Sequence, residues 1–320
     1  MFGSNEAVKK SRCGAFSAFA ISTVFVLVCI PANVRAQQKD QKTFASAEEA
    51  SQAMITALEA NDDAARLELL GKAGKDIISS GDPREDAENR ANIIAKYKVL
   101  HRLVVEPDGS TTIYIGAENW PVPVPLVEKD GRWYFDTAAG KREVLFRRIG
   151  RNEISAIRVC EALVAAQKEY YAAEGNVYAA KIKSDEGQQD GLHWVSAEVD
   201  HRSPIGPRVA NASIDGGQPF RGYYFRTLTA QGKDVQGGAM DYVSDGKMTK
   251  GFAFVAYPAV YRDSGVVTFV VDRDGVVYEK DLGKKTDALA KAMTEYDPDA
   301  TWRKSDLAEI MAPQEESTPK

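Results

Sequence analysis

Three arginines occur close together near the middle of the chain, at Arg147, Arg148 and Arg151. A cluster of guanidinium groups can bind an acidic ligand, because each group presents several N–H donors in a planar fork. The same cluster can instead pair with carboxylates of a second domain or form a solvated charged face. The sequence therefore indicates a candidate ligand site, and it leaves the two structural alternatives open.

An unusual run of alternating prolines begins with an aromatic residue, in the segment WPVPVP at 120–125. Prolines at every second position of an extended chain face one side, which favours an edge strand whose N–H groups point outward. One interpretation is a ligand-binding platform with Trp120 as its floor. The other is a sheet edge that is protected from aggregation.

The polar segment 190–207 contains the residue types of a nucleophile activated by a base. The candidates are His193, with Asp190 or Asp200 and with Ser196 or Ser203. Trp194, beside His193, is a further candidate ligand-binding residue. Because these residue types also occur by chance in polar loops, an envelope hydrolase is an alternative rather than the leading hypothesis.

The sequence predicts no metal site and no cofactor. Its three histidines, His101, His193 and His201, have no His-x-x-x-His or Cys-x-x-Cys neighbour, as a dedicated zinc site requires. The segment 272–275 begins like a calcium loop, but Gly283 occupies the twelfth position, where calcium loops have a glutamate. There is also no P-loop, dinucleotide fingerprint or G-x-S-x-G elbow.

The first 36 residues are typical of a secretory signal peptide. Lys9, Lys10 and Arg12 precede an apolar run at 15–30, and a small-x-small-like end follows at Ala36. The alternative is a membrane anchor, but the run is about 16 residues long, at or below the roughly 17 to 25 residues that span a bilayer. We therefore expect cleavage after Ala36, a periplasmic or secreted location, and no stable membrane span in the mature chain.

Removing residues 1–36 removes four basic residues and one acidic residue, so the net charge changes from −5 to −8. An acidic exported protein lacks the electrostatic footprint of a general nucleic-acid binder. The same removal leaves Cys160 as the sole cysteine. Its position on an apolar helix stripe predicts a buried thiol, and the alternative is a reactive nucleophile.

A long amphipathic helix within 147–171 is expected to position these groups. Asn152 is the predicted N-cap, with Glu153 in the first turn. Gly150 is the predicted break from a preceding helical turn at 138–148. The apolar stripe consists of Ile157, Cys160, Val164 and Tyr171.

The rest of the chain predicts an α+β fold: N-terminal helices plus a small antiparallel sheet, then a long central helix packed on a second antiparallel sheet. Helices are expected at 46–59, 61–71 and 82–97, and strands at 103–105, 111–115, 122–127 and 132–136. Residues 172–217 have no clear period; strands follow at 223–229, 239–243, 252–257, 266–271 and 276–280, then a helix at 286–293. The predicted domains are 37–149 and 150–303, with a disordered tail at 304–320.

Several long motifs resemble those of a bacterial exported family, domain of unknown function 2950. They are RRIGRNE at 147–153, GYYFRTLTAQG at 222–232, GFAFVAYPAVY at 251–261, SGVVTFVV at 264–271, GVVYEKDLG at 275–283, WPVPVPLV at 120–127 and WYFDTAAG at 133–140. The resemblance covers about residues 42–302, and it implies no activity, cofactor or catalytic residue. The second half also resembles the globular heads of type IV pilins and pseudopilins, although it lacks their long apolar N-terminal half-helix.

The leading hypothesis is a non-catalytic exported protein that binds an unknown envelope protein or a small ligand. The alternatives are the envelope hydrolase with its site at 190–207 and a pilus- or secretion-associated component. Each of these hypotheses needs a different arrangement of the candidate residues in the folded chain.

Overall fold

A computed structural model describes residues 41–79, 83–195, 203–213 and 217–306. The predicted signal peptide lies outside the described residues. So do Ser196, Asp200, His201 and the predicted tail from 307 onward.

Helices dominate the first half, and short strands dominate the second. The α-helices are α1 (Ala47–Glu59), α2 (Asp63–Leu70), α3 (Lys75–Ile78), α4 (Pro83–Val99), α5 (Thr137–Ala173), α6 (Pro207–Asn211) and α7 (Thr286–Ala292), with 3-10 helices at Lys72–Gly74 and Gly283–Lys285. The first-half strands are β1 (His101–Val105), β2 (Thr111–Ile115), β3 (Trp120–Pro121), β4 (Leu126–Lys129) and β5 (Arg132–Phe135). The later strands are β6 (Lys181–Lys183), β7 (Gly191–His193), β8 (Tyr223–Leu228), β9 (Ala230–Gln231), β10 (Met240–Asp241), β11 (Val243–Ser244), β12 (Lys247–Met248), β13 (Ala253–Pro258), β14 (Thr268–Asp272), β15 (Tyr278–Lys280), β16 (Glu295–Tyr296) and β17 (Arg303–Lys304).

Local signals account for the first two helices. The Ser46 hydroxyl accepts a hydrogen bond from the Glu49 N–H at 3.1 Å, and the Asp62 carboxylate accepts one from the Ala65 N–H at 2.9 Å. Each side chain satisfies an N–H group that has no partner within its helix. The predicted N-termini of α1 and α2 are therefore confirmed.

Two antiparallel sheets form the framework. The first has the order β1-β2-β4-β5, with β3 paired to β2, and the second has the order β17-β15-β14-β13-β8. In the second, Phe254 lies opposite Val271 on one side and Thr227 on the other. All residues of β13 and β14 are buried, and α5 contacts both strands. The predicted α+β class, with a long central helix packed on a second antiparallel sheet, is confirmed.

The central helix differs from the prediction at its start. It begins at Thr137, with Asp136 as N-cap accepting from the Ala139 N–H at 2.9 Å, and it continues through Gly150 to Ala173. The predicted N-cap at Asn152 and the predicted break at Gly150 are wrong. One interior glycine costs a helix only about 1 kcal/mol relative to alanine, and α5 has buried residues both before Gly150, at Thr137 and Gly140, and after it, from Ala156 onward.

The described residues form one compact unit with two hydrophobic clusters. One cluster draws on residues 44–135, and the other on residues 156–296. The predicted boundary between residues 149 and 150 stays a prediction. The segment 172–217, in which no period was recognised, contains α6 and a short parallel pair of β6 with β7. At the other end, β17 pairs with β15 and includes Lys304, so ordered structure extends past the predicted limit at residue 303.

Within the part of the chain that the structure describes, no helix has both the length and the apolar character needed to cross a membrane.

Candidate functional site

Two cavities lie along α5, between it and the N-terminal helices. Their volumes are about 790 and 570 Å³, within the range of roughly 300 to 1,000 Å³ typical of small-molecule sites. We call them the polar cavity and the apolar cavity. Both are lined by Leu58, Arg66, Ile77, Ile78, Asn89, Ile93, Val144, Arg151 and Arg221. Because they share these residues, the two cavities are adjacent, and we refer to them together as the cleft.

Arginine is the dominant charged residue of the cleft. Six arginines and three aspartates line the polar cavity, and four arginines, Lys96 and Glu88 line the apolar cavity. The cations of the whole cleft are Arg66, Arg90, Lys96, Arg147, Arg148, Arg151, Arg158 and Arg221. Guanidinium groups match the geometry of carboxylates and phosphates, whereas an ammonium acts as a point charge. The composition therefore favours an oxyanion ligand.

Arg66 lies where the two cavities meet. Its side chain is only 12% exposed and contacts the Asp63 carboxylate one turn earlier. Its Nε is buried and has no hydrogen-bond partner among the described residues. Burial, and secondarily the positive charge of Arg90, lower the pKa of Arg66, while Asp86 and Asp62 act in the opposite direction. An arginine keeps its proton even so, and an incoming anion would relieve both unfavourable effects.

Two of the predicted arginines lie in the polar cavity. Arg148 donates to the Asp263 carboxylate at 2.6 Å, and its Nε is buried without a partner among the described residues. Arg151 is exposed and lines both cavities; it makes no hydrogen bond or ion pair within the described part of the chain. The ion pair between Arg148 and Asp263 joins the two halves of the protein, and Arg151 is available to a ligand.

The wall contributed by the second half is fastened to α5 by polar side chains in mid-helix. The Asn152 amide donates to the Ser264 carbonyl at 2.8 Å. The Glu153 carboxylate accepts from the N–H groups of Val266 at 3.0 Å and Val267 at 3.2 Å. Burial raises the pKa of Glu153, and Glu279 and Asp281 raise it further, while the two N–H donors act in the opposite direction.

A tight turn presents Arg221 to the cleft. Arg221 and Gly222 both have left-handed backbone conformations, with φ of 50° and 74°. A Cβ at residue 222 would lie 2.6 Å from the Asn152 amide nitrogen and 2.8 Å from the Ser264 Cβ. Only glycine fits this approach, so the turn is held against α5 with Arg221 facing the cavities.

The N-terminal wall is fastened at α3 and at the start of α5. The Lys141 ammonium donates to the Asp76 carboxylate at 2.7 Å, and this hydrogen bond is the main reason that the pKa of Asp76 is lowered. The Thr137 hydroxyl donates to the Leu70 carbonyl at 2.6 Å. These contacts hold α2 and α3 beside α5, so both long sides of the cleft are built on the same helix.

Trp120 and Arg147 meet at the apolar cavity. The Arg147 guanidinium carbon lies 4.6 Å from the centre of the Trp120 ring, and the same group donates to the Pro121 carbonyl at 2.7 Å. Val122 and Val124 are buried, whereas Trp120 and the alternating prolines at 121, 123 and 125 are half-buried. The alternating pattern thus directs the valines inward, and β3 pairs with β2 only.

His193 and Trp194 lie elsewhere, at the end of β7, and neither lines any of the cavities described here. His193 Nδ1 is 2.9 Å from the Ser203 hydroxyl and 2.8 Å from the Ile205 carbonyl. A carbonyl only accepts, so Nδ1 carries the proton and is not a base toward Ser203. Asp190 binds Lys181 at 2.7 Å. The fold brings His193 and Ser203 together, but Nδ1 is a hydrogen-bond donor there, whereas in an activated nucleophile the histidine nitrogen accepts from the serine hydroxyl.

Cys160 is fully buried, and burial raises the pKa of its thiol to about 12. A thiol in this state is not a nucleophile at neutral pH, which confirms the prediction of burial. In the described parts of the chain, no group of three or more His, Cys, Asp or Glu residues is placed to hold a metal ion.

The sequence did not identify Arg66, Arg90 or Arg221 as site residues. They are remote along the chain from the cluster at 147–151, and only folding brings them to the same cleft. One local signal was present: Arg66 lies four residues before Leu70 and so on the same face of α2 as an apolar residue. An arginine on the apolar face of a helix indicates that this face packs against a polar site in the folded protein.

Residues 41–305 match the model of a family that is described as protein of unknown function (DUF2950). No curated protein shows a significant match to the sequence. No solved structure shows one either, so the likeness to pilin heads stays a prediction. The match spans nearly all of the described residues, and the chain belongs to the DUF2950 family of proteins of unknown function.

Proposed function

We propose that this chain is an exported cell-envelope protein that acts without catalysis, as a binding module for a ligand that carries an oxyanion such as phosphate or carboxylate. The observation that carries the proposal is the set of cationic side chains, seven arginines and Lys96 among the described residues, that lines the two adjacent cavities. Guanidinium groups form charge-assisted, often bidentate hydrogen bonds with carboxylates and phosphates, and Arg66, which lines both cavities, is the residue to test first.

The residues in the cleft favour binding over catalysis. Among the described residues lining the two cavities there is no histidine and no cysteine. These are the side chains that most often serve as a general base or an activated nucleophile near neutral pH. Arginines supply positive charge and fixed donors, which suit recognition of an anion.

Export is proposed from residues 1–36, with their basic, apolar and small-x-small-like segments. N-terminal sequencing of the protein recovered from the envelope fraction tests it. The expected first residue is Gln37. An intact N-terminus on protein that remains with the membrane would show an anchor instead.

Binding is tested by isothermal titration of the protein with inorganic phosphate. Arg66→Met keeps much of the side-chain length and removes the charge, so affinity should fall about tenfold or more, as expected for a charge-assisted hydrogen bond. Arg151→Met, at an exposed position, should also weaken binding. Arg142→Met is the matched control, because Arg142 is exposed on the same helix as Arg151 and lines neither cavity. Equal affinities in all three variants would refute the proposal.

An envelope hydrolase is the second candidate, and the 2.9 Å contact between His193 and Ser203 is the observation that keeps it testable. Hydrolysis of a panel of ester, peptide and glycosidic substrates, with loss in a His193→Ala variant, would support it. The proton on Nδ1 argues for the opposite result. The pilus-associated alternative predicts co-purification with a secretion or pilus apparatus.

A further inference from the structure

We infer that the ligand of the cleft is a single-chain amphiphile, with a phosphate or carboxylate head at Arg66, Arg151 and Arg221 and a hydrocarbon tail in the apolar cavity. This inference rests on the proposed function, because it names the class of ligand for the same site. The shared chemistry is an oxyanion attached to an unbranched apolar chain.

The position of the head follows from which arginines the two cavities share. Arg66, Arg151 and Arg221 each line both cavities. A head bound by these three side chains borders the apolar cavity, with its many hydrocarbon side chains, and the polar cavity, with its further arginines and aspartates.

The walls of the apolar cavity are suited to a hydrocarbon chain. Four helical side chains that line it, Met54, Leu58, Leu70 and Ile93, are only half-buried. Deeper in the wall, Val122, Val124 and Phe135 are fully buried members of the N-terminal hydrophobic cluster. Covering half-buried apolar side chains with hydrocarbon removes them from water, which is favourable in proportion to the area covered.

The order of these features along the cleft distinguishes an amphiphile from a small anion. A small anion needs the arginines alone and leaves the apolar cavity without a role. A neutral hydrocarbon needs the apolar cavity alone and leaves Arg151, which makes no ion pair among the described residues, without an acceptor. Only a ligand with both parts satisfies both observations, and a cavity of about 570 Å³ has the size of a small-molecule site.

The experiment titrates the full chain with alkyl phosphates from hexyl to dodecyl, each below its micelle-forming concentration, and with inorganic phosphate. Each methylene that enters the apolar cavity should tighten binding about fourfold until the cavity is full. A nonionic surfactant with the dodecyl chain should bind far more weakly than dodecyl phosphate.

Two variants separate the tail from the head. Met54→Trp fills part of the apolar cavity and should abolish the gain in affinity with alkyl-chain length, because Met54 lines that cavity and not the polar one. Gln52 is exposed on the same helix, so Gln52→Trp is the matched control and should still show the increase in affinity with alkyl-chain length. If Met54→Trp fails to fold, Ile93→Trp on the facing helix α4 should also abolish the gain.

These experiments distinguish failure of the amphiphile inference from failure of the proposed anion-binding function. Binding of all phosphates with equal affinity, still sensitive to Arg66→Met, leaves an anion site and overturns the amphiphile. If the nonionic surfactant binds as tightly as dodecyl phosphate, both the anionic head and the proposed function are overturned. The same conclusion follows if no ligand binds. Co-sedimentation with vesicles that carry dodecyl phosphate, undiminished in Met54→Trp, would show recognition of a lipid surface and also overturn the inference.

Discussion

Arg147 lies over the face of Trp120, with 4.6 Å between its guanidinium carbon and the centre of the ring. The same side chain donates to the Pro121 carbonyl at 2.7 Å and to the Glu143 carboxylate at 2.7 Å. One arginine of α5 therefore holds the edge strand β3 and lines the apolar cavity at the same time.

We predict that Arg147→Met lowers the free energy of unfolding by about 1–3 kcal/mol, because it removes a cation–π contact and a charged hydrogen bond to a carbonyl. Urea denaturation measures the change. Arg142→Met, exposed five residues earlier on the same helix, should change stability by no more than about 0.5 kcal/mol. Equal effects of the two changes would mean that the contact with Trp120 and Pro121 contributes nothing.

Two glycines of α5 should respond to alanine in opposite directions. A Cβ at Gly140 would lie 2.7 Å from Val124 Cγ2 and 2.9 Å from Cγ1, whereas a Cβ at Gly150 would meet nothing within 4 Å. We expect Gly150→Ala to stabilise the protein by up to about 1 kcal/mol through helix propensity. Gly140→Ala should destabilise it, because overpacking typically costs about 1–3 kcal/mol.

Thermal and urea unfolding of both glycine variants provide the measurement, and Val124→Ala in the Gly140→Ala background should recover part of the loss. A destabilising Gly150→Ala would contradict a continuous helix and would favour the break that the sequence suggested.

Glu153 should make the stability of the protein depend on pH. Its folded pKa is raised above the ordinary value of 4.5 mainly by burial. The stability contributed by the protonated form is therefore fully present below the unfolded pKa and is lost as the pH rises through the folded pKa. Relative to Glu153→Gln, which does not titrate, the wild-type chain should gain stability as the pH falls from neutral toward 4.5.

Unfolding free energies of the wild-type chain and Glu153→Gln, compared across that pH window, test this prediction, since other groups titrate equally in both. A relative loss of stability on acidification would show that the two N–H donors from Val266 and Val267 outweigh burial and depress the pKa.

Cys160 should be inert in the native protein. Burial raises its pKa to about 12, so almost no thiolate forms at neutral pH and no reagent reaches the sulfur. In a chain with Cys13→Ser and Cys29→Ser, a thiol-specific chromogenic reagent should react only after denaturant is added. Rapid reaction under native conditions would identify an accessible nucleophile and reopen the alternative that the sequence raised.

The element types were predictable, because strand alternation and capping residues are local signals. The start of α5 was not. Asn152 and Glu153 have the residue types of a helix start, yet their side chains bind the backbone of residues 264–267, which lie more than a hundred positions away. Nothing local distinguishes a side chain that caps its own helix from one that binds the backbone of a distant segment.

The candidate site was predictable only in part, because the sequence shows which residues are close along the chain and not which distant residues meet in the fold. Arg147, Arg148, Arg151 and Trp120 are close in sequence, and all of them line the cleft. Arg66 comes from α2 and Arg221 from a turn before β8, so only the packing of both halves against α5 reveals them. His193 and Trp194 stay predictions, and they belong to a separate region around β7.

The most direct test of the central claim is a crystal structure of the protein with dodecyl phosphate. The phosphate should lie within hydrogen-bond distance of the guanidinium groups of Arg66 and Arg151, with the alkyl chain between Met54 and Val124 in the apolar cavity. A phosphate bound only at the protein surface, or a cleft that holds solvent at saturating ligand, would contradict the account.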